Sequence, residues 1–147
     1  MPTLAQNRQA LHDFTILDTL EAGIVLSGQE VKSARLGQMS LKGSFVNFKN
    51  NEALLVNAYI SRYQKAGPDP SYKPDRDRKL LLNARELQNI ADRKHTEGLA
   101  VVPLSVYTKG KLVKVKIGLA RGKRKFDKRE SIKKREQQRK IRRIVNR

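Results

Sequence analysis

Residues 99–122, LAVVPLSVYTKGKLVKVKIGLARG, constrain the fold more than any other stretch of the chain. Two arms rich in β-formers flank Lys109-Gly110, a pair suited to a tight turn. In the second arm Val113, Val115, Ile117 and Leu119 alternate with Lys114 and Lys116. A strand here turns the aliphatics to one face and the lysines to the other. Such a hairpin needs a second layer over its apolar face.

The rest of the chain offers strands for that layer. FTILDTLEAGIVL (14–26) reads as one long strand or two consecutive ones, with Gly23 permitting a bend or bulge. SFVNFKNNEALLVNAYI (44–60) is two strand-like runs around Asn50-Asn51, residues that tolerate positive φ and so predict a tight hairpin. Val46 and Phe48 flank Asn47 with the alternation of a half-buried strand.

Two helices are marked by their starts. In SGQEVKSARLG (27–37) Ser27 is an N-cap, Glu30 follows three residues later and Gly37 is a stop signal. NARELQNIADRKHTEG (83–98) repeats the spacing with Asn83 and Glu86, sets Leu87, Ile90 and Ala91 on one face, and ends at Gly98. Residues 63–79, YQKAGPDPSYKPDRDRK, carry three prolines and a glycine and predict a long, exposed, mobile loop that can face RNA. The expected fold is mainly β with short α-helices, an OB-like antiparallel β-barrel.

Charge divides the chain. Residues 121–147 hold 14 Lys and Arg against three acids, a net +11, while residues 1–120 hold 18 against 11, a net +7. The expected organisation is therefore a barrel over 1–120 and a basic C-terminal tail over 121–147. Such a tail repels itself and gains most from a polyanion whose counterions it releases. Nucleic acid is the leading partner and an anionic membrane surface the next; the tail's few aliphatics (Ile132, Ile141, Ile144 and Val145) form no continuous stripe, which disfavours a membrane-surface helix. Glu130–Lys134 and Glu136–Lys140 have helical i, i+4 spacing, so the tail is expected to be disordered alone and helical once phosphates neutralise it.

Catalysis finds little support. Asp75, Asp77 and Glu86 each have a basic neighbour, and Glu86 already serves as a cap. His12 and His95 have no adjacent Ser, Cys or second His, and GLARG is a strand end rather than a phosphate-cradling loop. The expectation is a binding protein with no catalytic residue, metal or cofactor. Cysteine is absent, no apolar h-region opens the chain, and no apolar run approaches the roughly 18 residues of a membrane span. These features predict a cytoplasmic location. A ribosomal or ribosome-assembly protein with an OB-like body and an rRNA-binding tail fits the same composition.

Five motifs narrow the choice. NRQALHDF (7–14), GQEVKSAR (28–35), RKLLLN with EL (78–83, 86–87), KVKIGLARGKR (114–124) and FDKR (126–129) are similar, in order and spacing, to the bacterial SsrA-binding protein family, also called small protein B. The resemblance implies an adaptor of trans-translation. Members bind alanine-charged transfer-messenger RNA (tmRNA) and bring it to the A site of 70S ribosomes stalled on truncated messages. Elongation factor Tu takes part indirectly, through the charged RNA. The barrel grips the tRNA-like domain, while the tail enters the 16S rRNA decoding centre and the empty mRNA channel. Protein and RNA together stand in for a complete tRNA.

Carried over by motif, Glu30, Lys32, Leu81, Asn83, Lys114 and Lys116 would form the tmRNA-binding face. Lys114 would neutralise phosphate, Asn83 bond a base or sugar edge, Leu81 pack on a base, and Glu30 accept a bond or orient a basic neighbour. The ribosome-facing set would be Arg121, Lys123, Arg124, Phe126, Asp127, Lys128, Arg129, Lys133, Lys134, Arg135, Arg139 and Lys140. Phe126 stands where members often carry His or Tyr; it keeps the capacity to stack but cannot donate a hydrogen bond.

Overall fold

A computed structural model describes residues 2–123. In chain order it contains β1 (Thr3–Gln6), α1 (Arg8–Asp13), β2 (Phe14–Ile24), α2 (Gly28–Arg35), β3 (Met39–Ser40), β4 (Phe45–Lys49) and β5 (Glu52–Val56). There follow β6 (Tyr59–Ile60), a 3-10 turn (Gln64–Ala66), β7 (Arg78–Leu81), α3 (Ala84–Glu97), β8 (Ala100–Lys109) and β9 (Leu112–Gly122). Seven strands form one antiparallel sheet in the order β1-β8-β9-β2-β7-β5-β4, and β3 and β6 pair separately. The sheet curls until β4 packs near β8, the barrel expected of an OB-like chain. Among the described residues no helix is long and apolar enough to cross a membrane.

The β8–β9 hairpin forms with its turn one residue later than expected. Lys109 pairs with Leu112, so the two loop residues are Gly110 and Lys111. Gly110 has φ 62°, at the first central position, where glycine suits a turn that matches strand twist. Val113, Val115, Ile117 and Leu119 are buried in the main core. Burial of each such side chain contributes roughly 1.5–3 kcal/mol. The wet-and-dry alternation stops at Gly118 and Ala120, which are buried too. There α1 closes the opposite face: Ala10 packs with Val102 and Ala120, against Phe14, Ile16, Ala100 and Leu104. Asn7 caps α1 by accepting from the Ala10 N–H at 3.1 Å and fastens it to β8 by donating to the Pro103 carbonyl at 2.8 Å.

The Asn50-Asn51 hairpin is present, with φ 53° and 60° at the two asparagines. β2 is one continuous strand, and its bulge falls between Ile16 and Asp18 rather than at Gly23. Gly23 instead sits between two strands, paired with Lys114 of β9 on one side and with Leu81 of β7 on the other. A Cβ at Gly23 would lie 3.2 Å from the Leu81 Cβ, so the close approach of β7 needs glycine there.

Both helix starts carry the reciprocal capping bonds expected of Ser27–Glu30 and Asn83–Glu86. The 63–79 segment is more anchored than its composition suggests. The Tyr72 hydroxyl donates to the Ile60 carbonyl at 2.6 Å, Ile60 N–H donates to the Pro74 carbonyl at 2.9 Å, and Arg78 is wholly buried.

Candidate nucleic-acid interface

The outer face of β8, β9, β2 and β7 gathers part of the expected site. Tyr107 pairs with Lys114, Lys114 with Gly23, and Gly23 with Leu81, so these four stand in one cross-strand row. Because Gly23 has no side chain, Leu81 leans into the space above it on β2. Leu81 is 53% exposed, and Leu112 and Val25, at 61% and 45%, extend the apolar strip on this face. Lys116 lies two pairs further along, opposite Glu21 on one side and Ser105 on the other. A ridge of exposed aliphatic groups flanked by lysines is suited to folded RNA, whose phosphates take the charge while an unstacked base covers the ridge.

The other expected residues lie around this row in different ways. Asn83, exposed, follows Leu81 by two positions; its side-chain carbonyl accepts from the Glu86 N–H at 2.8 Å, which leaves its amide protons to offer a ligand. Lys32 is on α2, with its ammonium 5.6 Å from the centre of the Tyr63 ring, a cation–π contact that holds the charge on the surface. Arg121 is exposed in β9 opposite Thr15. Lys123 is tied to the end of α1, where its N–H donates to the Asp13 carbonyl at 2.9 Å and its ammonium to the Leu11 carbonyl at 3.3 Å. Arg124, Phe126, Asp127, Lys128, Arg129, Lys133, Lys134, Arg135, Arg139 and Lys140, with the expected tail helix, lie outside the described residues.

Glu30 is not at the surface. Its residue is 0% exposed, and both carboxylate oxygens are engaged within the protein. Oε1 accepts from the Ser27 N–H at 2.8 Å and from Arg76, and Oε2 accepts from Arg78 Nε at 2.7 Å and Arg76 Nε at 3.0 Å. Arg78 completes its own set with the carbonyls of Ala58 (2.8 Å), Pro74 (2.8 Å) and Arg76 (3.1 Å). Burial alone would push the Glu30 carboxyl up; the hydrogen bonds from Arg76, the Ser27 backbone and Arg78 outweigh it and hold the group below its ordinary value. Of the roles the resemblance implied for Glu30, the geometry favours orienting basic neighbours over a bond to RNA. The cage joins α2 to the segment that leads into β7, and so positions Leu81.

Two residues of the face escaped sequence reasoning. Tyr107 donates its hydroxyl to the Glu21 Oε2, and Glu21 Oε1 accepts from Lys109 at 3.4 Å. Partial burial and the facing carboxylate push the Tyr107 phenol up to about 12, and the phenol in turn lowers Glu21. The alternation of β2 and β8 placed both side chains outward, but nothing in the sequence marked them as partners across an intervening strand.

The SmpB protein family model matches residues 4–147. An SsrA-binding protein of Streptococcus equi subsp. zooepidemicus is 51% identical over 142 residues, which cover 97% of this chain and 91% of that protein. One from Ligilactobacillus salivarius is 48% identical over the same share of each. A solved structure described as "tmRNA-SmpB: a journey to the center of the bacterial ribosome" contains a chain 44% identical, with a TM-score of 0.68, covering 86% of this chain and 92% of its own. On this likeness of sequence and of barrel, the chain belongs to the SmpB, or SsrA-binding protein, family.

Proposed function

We propose that this chain is an RNA-binding adaptor of trans-translation that binds tmRNA and carries it to the A site of stalled 70S ribosomes. The observation that carries the reading is the row Tyr107–Lys114–Gly23–Leu81, which sets a lysine and an exposed aliphatic group side by side on one sheet face, in a member of a family named for SsrA binding. In this division of labour the barrel, residues 1–120, holds the tRNA-like domain through Leu81, Asn83, Lys114 and Lys116, with Lys32 to one side. Glu30 acts from beneath by holding β7 in place. The barrel and RNA together take the shape of a tRNA, and elongation factor Tu engages the complex through the charged RNA end.

The tail, residues 121–147, suits a trough walled by phosphate such as an mRNA channel emptied of message. Fourteen cations within it favour an rRNA-lined path by counterion release. Phe126 stacks on an rRNA base near the decoding centre.

The test is pull-down of the full chain from a bacterial extract, with sequencing of the bound RNA. One tRNA-like species strongly enriched is the expected result. Sedimentation with intact 70S particles that persists without tmRNA, and no enriched small RNA, would instead identify a ribosomal or ribosome-assembly protein.

A further inference from the structure

The Tyr107–Glu21 hydrogen bond spans a strand. Tyr107 belongs to β8 and Glu21 to β2, and β9 runs between them. Tyr107 stands in the row of Lys114, and Glu21 in the row of Lys116. The bond therefore crosses β9 diagonally on the outer face and separates the two lysines. It sets a carboxylate in the middle of the basic face that the proposed function assigns to RNA. Lys109 approaches the same carboxylate at 3.4 Å, and no other acid of β2, β8 or β9 shares this stretch of the face.

An acid is an odd choice for a phosphate-binding surface, and its cost falls unequally on different RNAs. A phosphate chain that lay along β9 from Lys116 to Lys114 would pass over Glu21 and be repelled. A folded RNA that contacts the lysines from two separate segments avoids the carboxylate. It can also present a base amine or a 2′-hydroxyl to the carboxylate as a donor. Discrimination of this kind comes from a repulsive group set against the wrong partner. The phenol matters because it holds the carboxylate over the strand; released, Glu21 could fold onto a lysine and neutralise it.

We propose that Glu21, held by Tyr107, is a specificity-determining residue that bars generic single-stranded phosphate backbone from the Lys114–Lys116 face and admits folded RNA. The inference rests on the assignment of this face to RNA. It is testable apart from the identity of that RNA.

The experiment measures binding of full-length wild type, Glu21→Gln and Tyr107→Phe to polyuridylate and to the tRNA-like domain of tmRNA over a range of salt. Glu21→Gln is expected to bind polyuridylate roughly tenfold more tightly, a change of about 1.4 kcal/mol, with little gain for the tRNA-like RNA. Tyr107→Phe is expected to weaken both and to flatten the salt dependence, because the freed carboxylate pairs with a lysine. Thermal unfolding checks that both exposed-face variants fold. Unchanged polyuridylate affinity in Glu21→Gln, or an equal gain for both RNAs, would overturn the inference. A wild type without preference for the tRNA-like RNA would instead overturn the proposed function, and the polyuridylate comparison would still decide the role of Glu21.

Discussion

Arg78 Nε lies 2.7 Å from Glu30 Oε2, and the two side chains are 0% and 1% exposed. Taking two charges out of water is costly, so such a pair holds only when each partner's remaining bonds are satisfied, as they are here. Removal of one partner leaves the other charge buried and unbalanced. Arg78→Ala and Glu30→Ala are each expected to cost about 3–5 kcal/mol in urea unfolding of the full chain. The double variant should cost clearly less than the sum, since each single change destroys the same pair. Additive losses would show that the two act independently.

The same carboxylate sets an acid limit. Its folded value lies below the ordinary 4.5, so its contribution to stability is complete above that pH and disappears as pH falls through the lower folded value. Wild type should therefore lose urea resistance below about pH 4.5 more steeply than Glu30→Gln, which has no proton to take up. Parallel pH profiles for the two would contradict the pairing.

At the alkaline end the sign reverses. Tyr107 is raised from 10.0 to about 12, so the stability it brings is full below pH 10 and is lost as pH rises toward 12. Burial also raises Tyr72, so of the four tyrosines Tyr107 should be the last to ionise in a tyrosinate absorbance titration rather than the one late group. Tyr107→Phe is expected to remove that last component, and Glu21→Gln to shift it to lower pH. A wild-type curve with every tyrosine ionising near its ordinary value would argue against the bridge.

Lys114 and Leu81 occupy one row yet should respond differently to salt. Lys114→Ala is expected to weaken tmRNA binding and to lower the slope of log affinity against log salt by about 0.7–0.9, the release of one phosphate contact. Leu81→Ala should weaken binding through lost apolar cover and leave the slope unchanged. Gly23→Val is expected to resemble Leu81→Ala, because a side chain at Gly23 meets Leu81, and to cost about 1–3 kcal/mol of stability. Equal slopes for Lys114→Ala and wild type would remove Lys114 from the phosphate contacts.

Removal of residues 124–147, which spares the end of β9 and the Lys123 bond to the Asp13 carbonyl, tests the division between barrel and tail. The truncated chain is expected to keep most of its affinity for tmRNA and to lose tagging on stalled ribosomes. Within the full chain, Phe126→Ala should weaken tagging while Phe126→Tyr is tolerated, since stacking needs only the ring. Collapse of tmRNA affinity on truncation would place the tail in the primary RNA contact instead.

What could be read from the sequence alone was local. Ser27 with Glu30 and Asn83 with Glu86 announced helix starts, because an N-cap acts on a neighbour three residues away. Val113 to Leu119 announced a buried strand face, because side chains alternate whatever the partner strand is. The outward placement of Lys114 and Lys116 beside a core was legible for the same reason. Tertiary structure decided what lies far apart in the chain. Glu30 meets Arg78 48 residues away, and its local role as a cap concealed the buried ion pair. The bulge in β2 and the turn at Gly110-Lys111 set the register that joins Leu81, Gly23, Lys114 and Tyr107 in one row. Register depends on how neighbouring strands fit one core, and a shift of one residue would turn every one of these groups to the opposite face.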